Sequence, residues 1–462
     1  MRGEQKTATA GCRYEGKLET ESNNGARSIA PLETAAKDGA GSLLEKVLHR
    51  DNLNAAYQRV KRNGGSPGID GMTVEEMLPY LNEHKEELLT SLRGGWYQPK
   101  PVKQVQIPKP DGGTRNLGVP TVIDRMIQQA VAQVLTPLFE AGFSENSYGF
   151  RPGRSAQQAV KKAAEYYKQG YVNVVDIDLA KYFDTVNHDI LIREMREVVK
   201  DETVLQLIRK FLRSGVMVNG LVQATTEGTP QGGNLSPLLS NIYLTAFDRM
   251  LESRGHKFVR YADDCNIYVK SQRAADRVMT SCKTYLETKL KLKVNEAKSK
   301  AGSPLRLKFL GFSLYKTGTG VGIRPHGKSL AKFKERVRQL TSRKQARPVP
   351  IILERLKRYT RGWLGYYCLA EMKARLKMLN EWLRRRIRQI FWKQWKKPSA
   401  RCENLKRLGI AKSKAREWAN TRLGYWRIAG SWVLSRSLTN EYLASLGYDD
   451  IAKRYEVLHS SY

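Results

Sequence analysis

The chain has 462 residues, a formal net charge of +35 and 41% hydrophobic residues. That is enough apolar material for a sizeable core and several domains, and so strong a positive field implies a polyanionic partner, nucleic acid before membrane. No apolar run reaches the roughly 18 residues a membrane span needs, the N-terminus lacks an apolar signal core, and the five cysteines and six histidines are too scattered for a disulfide frame or a zinc site. The cysteines fit reduced cytosolic thiols. The charge is uneven: residues 301–400 hold 26 Lys and Arg against 4 Asp and Glu. Residues 401–462 hold 11 against 6.

In chain order, residues 1–42 are Gly, Ser, Thr, Ala, Lys and Glu without period and read as a disordered tail. Apolar residues then recur with helical spacing from Leu43 to Leu92, broken by the loop Gly64-Gly-Ser-Pro-Gly-Ile-Asp-Gly71. In Ile107-Pro-Lys-Pro-Asp-Gly-Gly-Thr-Arg115 the central residues are turn chemistry, which puts Lys109 and Arg115 on a β-hairpin. Asp124–Leu138 and Ser155–Gln169 read as helices. Residues 172–178, Val-Asn-Val-Val-Asp-Ile-Asp, read as a buried strand that turns acidic at its end and continues into Leu179-Ala-Lys-Tyr-Phe-Asp184. The Gly-rich stretch Gly228-Thr-Pro-Gln-Gly-Gly-Asn-Leu-Ser-Pro237 precedes an apolar helix over Leu238–Phe247, with Pro237 suited to its first turn.

Lys257–Arg260 and Cys265–Val269 are rich in β-branched and aromatic residues, so they read as two strands with Tyr261-Ala-Asp-Asp264 at the apex. Adjacent carboxylates repel and are tolerated where a divalent cation neutralises them. Asp-Asp is also ordinary turn chemistry, and Asp176, Asp178 and Asp184 taken alone fit a solvated strand end with a helix cap. The order of strand Asp, Gly-rich loop with helix, and hairpin Asp-Asp favours the other reading. Carboxylates on neighbouring strands suit two-metal phosphoryl transfer, with Asp178, Asp263 and Asp264 as the clamp.

That order resembles the palm of reverse transcriptases, an α+β right-hand fold of fingers, palm and thumb. The chain from Ser42 to Tyr462 resembles bacterial group II intron-encoded reverse transcriptases, or maturases, and in particular the compact group IIC type without an endonuclease domain. The resemblance rests on the 107–115 segment, Ser147-Tyr-Gly-Phe-Arg-Pro152, the Asp178 segment, the Gly228 loop, Tyr261–Asp264, Asn295-Glu-Ala-Lys298 and Phe309-Leu-Gly-Phe312. It implies Asp178, Asp263 and Asp264 as catalytic ligands of two Mg²⁺ ions, Asp263 touching both, with Mn²⁺ an alternative. Phe183 matches the bulky gate under the incoming sugar, where a flat ring excludes a 2′-hydroxyl and selects dNTP. Lys109 and Arg115 match the basic pair that grips the triphosphate, Gln231 a position beside nucleotide and template, and Lys298 a lysine near the leaving pyrophosphate. The implied organisation is a tail (1–42), N-terminal extension and fingers (43–175), palm (176–320), thumb or domain X (321–400) and a basic DNA-binding region (401–462).

Gly322-Ile-Arg-Pro-His-Gly-Lys-Ser329 matches the P-loop pattern formally, yet no buried strand is expected directly before it, and Ser329 is expected to cap a helix instead. Farther on, Leu376, Leu379, Leu383, Ile387 and Ile390 share a helix face while Arg384, Arg385, Arg386 and Arg388 surround them. The charge density there points to an RNA-binding face, continued by Lys412 and Lys414. The resemblance implies a ribonucleoprotein with group II intron RNA in the bacterial cytoplasm at the nucleoid, acting on target DNA, a DNA primer and dNTPs, with splicing assistance and retrohoming as its tasks. Priming would come from an existing DNA 3′ end. A splicing cofactor with a vestigial polymerase, and a domesticated enzyme of host defence or repair, are the rival readings.

Overall fold

The computed structural model describes residues 42–460 except 109–111, 219, 231 and 319, so the expected tail lies almost wholly outside the described residues, as do Lys109 and Gln231. Two compact units divide at Leu310/Gly311.

Eight strands are described in the N-terminal unit: β1 (Val102–Pro108), β2 (Thr114–Val119), β3 (Asn173–Ile177), β4 (Val216–Val218), β5 (Leu221–Gln223), β6 (Lys257–Tyr261), β7 (Asp264–Val269) and β8 (Lys300–Gly302). They form two mixed or antiparallel sheets, ordered β2-β1-β4-β5 and β6-β7-β3-β8. In the second sheet the strand period of two decides what each face carries. Val175, Ile177, Phe258, Cys265 and Ile267 enter the large core. Val174, Val259 and Tyr268 lie in a separate small cluster with Tyr148 and Tyr166. The large core is closed by the helix Ser236–Ser253, buried on nearly every side, and by Val122–Glu140. Thr121 caps the latter helix, and its buried Asp124 accepts from Tyr97 Oη (2.8 Å) and Thr121 Oγ1 (2.7 Å). Ala156–Lys168 begins with a reciprocal capping box of Ser155 and Gln158.

The C-terminal unit opens with the hairpin β9 (Phe312–Thr317) and β10 (Gly320–Pro325), followed by helices Gly327–Leu340, Val349–Tyr367 and Lys373–Gln394 and six shorter helices between Pro398 and His459. An aromatic stack joins the first pieces: Phe333 to Trp363 (4.5 Å between centroids), Trp363 to Tyr367 (4.7 Å) and Tyr367 to Phe312 (4.9 Å).

One expectation about the P-loop pattern needs correction, the cap at Ser329. The rejection of phosphate binding agrees with the hairpin: Gly322 stands opposite Tyr315 and Arg324 opposite Ser313, so this backbone serves a sheet ladder instead of cradling phosphate. The helix cap is His326, whose Nδ1 accepts from Lys328 N (3.1 Å), while Ser329 Oγ donates back to the Gly311 carbonyl (2.9 Å). A helix beginning at Gly327 leaves Ser329 inside the first turn, where its hydroxyl reaches the preceding chain.

Candidate active site

The hairpin β6–β7 closes with Tyr261 paired to Asp264, which leaves Ala262 and Asp263 as a two-residue turn. Ala262 has φ +57°. Positive φ at the first central position alone is the sign pattern of a type II′ turn, normally given to glycine, so alanine here costs on the order of 1 kcal/mol. The surroundings impose it. Arg260, 1% exposed, donates to the Ala262 carbonyl (3.0 Å), to Asn241 Oδ1 (3.0 Å), and through Nε and Nη2 to the Asp248 carboxylate (2.7 and 2.5 Å). Burial works against the guanidinium's charge, but the Asp248 carboxylate outweighs it and holds Arg260 above its ordinary range. Asn241 Nδ2 donates to the Gly149 carbonyl (2.8 Å), and a Cβ on Gly149 would lie 2.2 Å from Ala262 N. Tyr148 N donates to Arg260 O, and Arg260 N to Asn146 O, both at 2.9 Å. The Ser147–Pro152 motif is therefore the bed on which the turn rests.

Strand register supplies the third carboxylate. β3 and β7 are antiparallel with Ile177 opposite Cys265, so the next residue, Asp178, stands at the level of Asp264. Asp176 pairs with Asn266 on one side and Lys300 on the other. Residues 295–299 hold Asp178 in place: Asn295 N donates to Asp178 O (2.8 Å), and Asp178 N to Ser299 Oγ (3.1 Å). Lys298 Nζ lies 3.9 Å from Asp178 Oδ2.

The electrostatics record crowding. Burial, then the charges of Asp263, Asp176 and Asp178, push Asp264 up to about 7. The Asp264 residue is nonetheless exposed, and water screens part of the repulsion. Asp176 is pushed up to about 6 by burial and Asp178. Burial and Asp178 raise Asp263, against the pull of Arg115 and Arg260. Arg115, exposed on β2, is thus within electrostatic reach of the turn. Asn266 Oδ1 is buried and accepts no hydrogen bond. Among the described residues no three His, Cys, Asp or Glu side chains converge on one point. The donor set is nevertheless all hard oxygen with excess negative charge, the chemistry that Mg²⁺ takes and softer metals do not.

Phe183 lies in the short helix Tyr182–Thr185, edge-on to Tyr182 at 5.2 Å. Its backbone is clipped to the Gly-rich loop: Thr229 N donates to Phe183 O (2.6 Å) and Gly228 N to Val186 O (2.8 Å). His188, 3% exposed, places Nε2 2.7 Å from Gly228 O. A carbonyl only accepts, so Nε2 carries the proton, and burial keeps the ring neutral by lowering its pKa. Gly228 has φ +90°, and a Cβ there would sit 2.9 Å from the carbonyls of Phe183 and Asp184. The loop and the Phe183 segment therefore move as one piece.

The clustered arginines of the C-terminal unit are engaged within it. Arg386 donates to Thr341 Oγ1 (2.6 Å), Arg388 to Leu438 O (3.1 Å) and Arg385 to Trp426 O (2.9 Å), and Arg385 also stacks on the Trp426 ring (4.3 Å). Arg384 lies 3.5 Å from Asp450. Leu376, Leu379, Leu383, Ile387 and Ile390 are buried as their spacing predicts. Lys412 and Lys414 are exposed, Lys414 pairing with Glu417 (2.7 Å).

Sequence reasoning passed over Arg260, Asp248, Asn241, Gly149 and His188. One signal was available: Arg260 alternates with Phe258 onto the core face of its strand, and a cation there demands a buried partner.

Residues 107–314 match the family described as reverse transcriptase (RNA-dependent DNA polymerase), and residues 330–409 the group II intron maturase-specific domain. Protein YkfC of Escherichia coli (strain K12) is 33% identical over 273 residues, covering 51% of this chain and 72% of that protein. The group II intron-encoded protein LtrA of Lactococcus lactis subsp. cremoris is 36% identical over 219 residues, 47% of this chain and 36% of LtrA. The putative COX1/OXI3 intron 1 protein of Saccharomyces cerevisiae is 33% identical over 269 residues, 56% of this chain and 30% of that protein. The match thus spans about a third of the two intron proteins' own length. The chain belongs to the family of group II intron-encoded reverse transcriptases with a maturase domain.

Proposed function

We propose that this protein copies RNA into DNA at Asp178, Asp263 and Asp264, and that it binds the RNA of its own group II intron, assists its splicing and copies it into DNA during retrohoming. The observation that carries the catalytic part is the meeting of Asp178 with the Asp263–Asp264 turn at the ends of neighbouring strands. Magnesium is general in the family. Two Mg²⁺ ions held by these carboxylates would supply Lewis-acid stabilisation of the attacking and leaving oxygens.

The chain's own residues do the rest. Arg115 grips the triphosphate as a planar fork, and Lys109, which the sequence pairs with it, adds a point charge. Phe183 fills the space a 2′-hydroxyl would need and so selects dNTP. Gln231 of the Gly-rich stretch positions nucleotide against template. Lys298 would offer a proton to the leaving pyrophosphate. Lys412 and Lys414, with the cluster Arg384, Arg385, Arg386 and Arg388, belong to the basic surface facing nucleic acid; the internal bonds of the four arginines leave them to act by field and stacking more than by free forks.

The test is one reaction: purified protein, the transcript flanking the reading frame, near-physiological Mg²⁺, then primer and dNTPs. Protein-dependent splicing followed by dNTP incorporation is the expected result. Incorporation without any effect on splicing would overturn the intron part and favour a domesticated polymerase.

A further inference from the structure

At the other end of the catalytic hairpin lies an open cavity of about 440 Å³, lined among others by Tyr171, Lys257, Val269, Lys270, Arg277 and Val278. Lys257 starts β6 and Val269 ends β7, so six residues of strand, about 17–20 Å, separate this cavity from Asp264. It belongs to a different place on the palm sheet from the polymerising carboxylates.

Its chemistry is one-sided. The floor is apolar: Tyr171, Tyr268, Val269, Ala274 and Val278. The rim is cationic, and none of the lining residues is a carboxylate. Lys257, Lys270 and Arg277 are all exposed, and among the described residues none of them has a carboxylate within ion-pair distance. This contrasts with Lys283 on the same helix, which pairs with Glu296. Arg254 brings a further cation, its Nη1 donating to Ser281 Oγ at 2.5 Å. Lys270 lies over the Tyr171 ring at 5.6 Å, so the ring and the charge are presented together.

An enclosed pocket suits a metabolite; a shallow apolar floor with several free cations at its edge suits a polymer that lays a base or ribose on the floor and its phosphates on the rim. We infer that this cavity is a second RNA contact of the palm, one that seats an unpaired nucleotide of a structured RNA on Tyr171 with its flanking phosphates on Lys257, Lys270 and Arg277. It anchors the RNA without touching the reacting atoms, and it stands whether or not the polymerase reading is right.

The experiment uses the full chain with its polymerising cleft filled by a primer–template duplex. The flanking transcript, carrying photoactivatable thiouridine, is then added, and both affinity and cross-linked peptides are read. The expected result is a cross-link to Tyr171 or its neighbours. K257E/R277E should bind the transcript about tenfold more weakly, with the salt dependence of log K reduced by about 1.5 to 2. Extension of the short duplex should stay within about twofold of the parent. Tyr171→Ala should weaken binding as well, by about 5- to 150-fold through loss of base stacking. The neutral pair K257M/R277M, with the thermal midpoint of each variant, separates lost contacts from lost fold. No cross-link in this region, or transcript affinity unchanged in K257E/R277E, would overturn the inference and leave an acidic protein as the occupant to seek. If the parent protein incorporates no dNTP, the polymerase reading fails while the cross-link still decides this one.

Discussion

Arg260 and Asp248 show how much of the proposed active site rests on side chains to which no substrate contact is assigned. The pair is buried and bidentate, and removing one partner of such a pair costs about 3–5 kcal/mol because the other charge is stranded. Arg260→Lys keeps the charge and loses the fork, so its contacts to Ala262 O and Asn241 cannot all survive. We expect kcat to fall about tenfold with KM for dNTP nearly unchanged, since the turn moves but the triphosphate grip does not; steady-state kinetics below the variant's lowered melting temperature, at equal folded concentration, would check this, and an unchanged kcat would show the clamp to be dispensable. The crowded carboxylates make a second expectation. Asp176 and Asp264 have folded pKa values raised above the unfolded carboxylate value, to about 6 and about 7. The folded chain therefore holds protons that the unfolded chain has lost, and stability from these groups is full below about pH 4 and lost as pH rises towards 7. A cation held by Asp264 with Asp178 and Asp263 relieves that loss, so Mg²⁺ should raise the melting temperature more at pH 8 than at pH 5. Equal stabilisation at both pH values would mean that the ion sits elsewhere.

At the level of elements, the glycines at close approaches decide more than the glycines of the loops. Gly149→Ala would drive a methyl into the Ala262 backbone, and Gly228→Ala into two carbonyls of the Phe183 segment. The first should depress kcat; the second should loosen the gate, raising KM for dNTP and reducing the preference over NTP several-fold, measurable by competition of dCTP with CTP. Retained discrimination in Gly228→Ala would break the link drawn between loop and gate. These elements also mark what the sequence could disclose. The strands and the apex Asp-Asp were legible because β-branched alternation and turn chemistry are local signals. So was the buried helix face through Ile390. The Arg260–Asp248–Asn241 clamp was not, because its members come from different elements and only packing brings them together. Ser329 was expected as the helix cap because the start of the helix at Gly327 is set by the hairpin before it, and only the partner strand β9 fixes where β10 ends. The arginine cluster was legible as charge but not as structure: sequence gives the number of cations and says nothing of which carbonyls they will bind.

For the whole molecule, the net charge of +35 predicts RNA binding that weakens steeply with salt. The proposed polymerising centre and the inferred RNA contact lie on different surfaces of the chain, so the two activities should separate by mutation: cleft variants should lose synthesis and keep the transcript, and basic-surface variants should do the reverse. The polymerising centre is the claim on which the rest depends. Its most direct measurement is extension of a DNA primer on an RNA template with dNTPs and Mg²⁺, comparing the parent chain with Asp263→Asn at equal folded concentration. The account predicts extension by the parent, and a loss of at least about 10³-fold in the variant, as removal of an electrostatic centre of this kind entails, with transcript binding retained. Extension by Asp263→Asn at a rate near the parent's would contradict it.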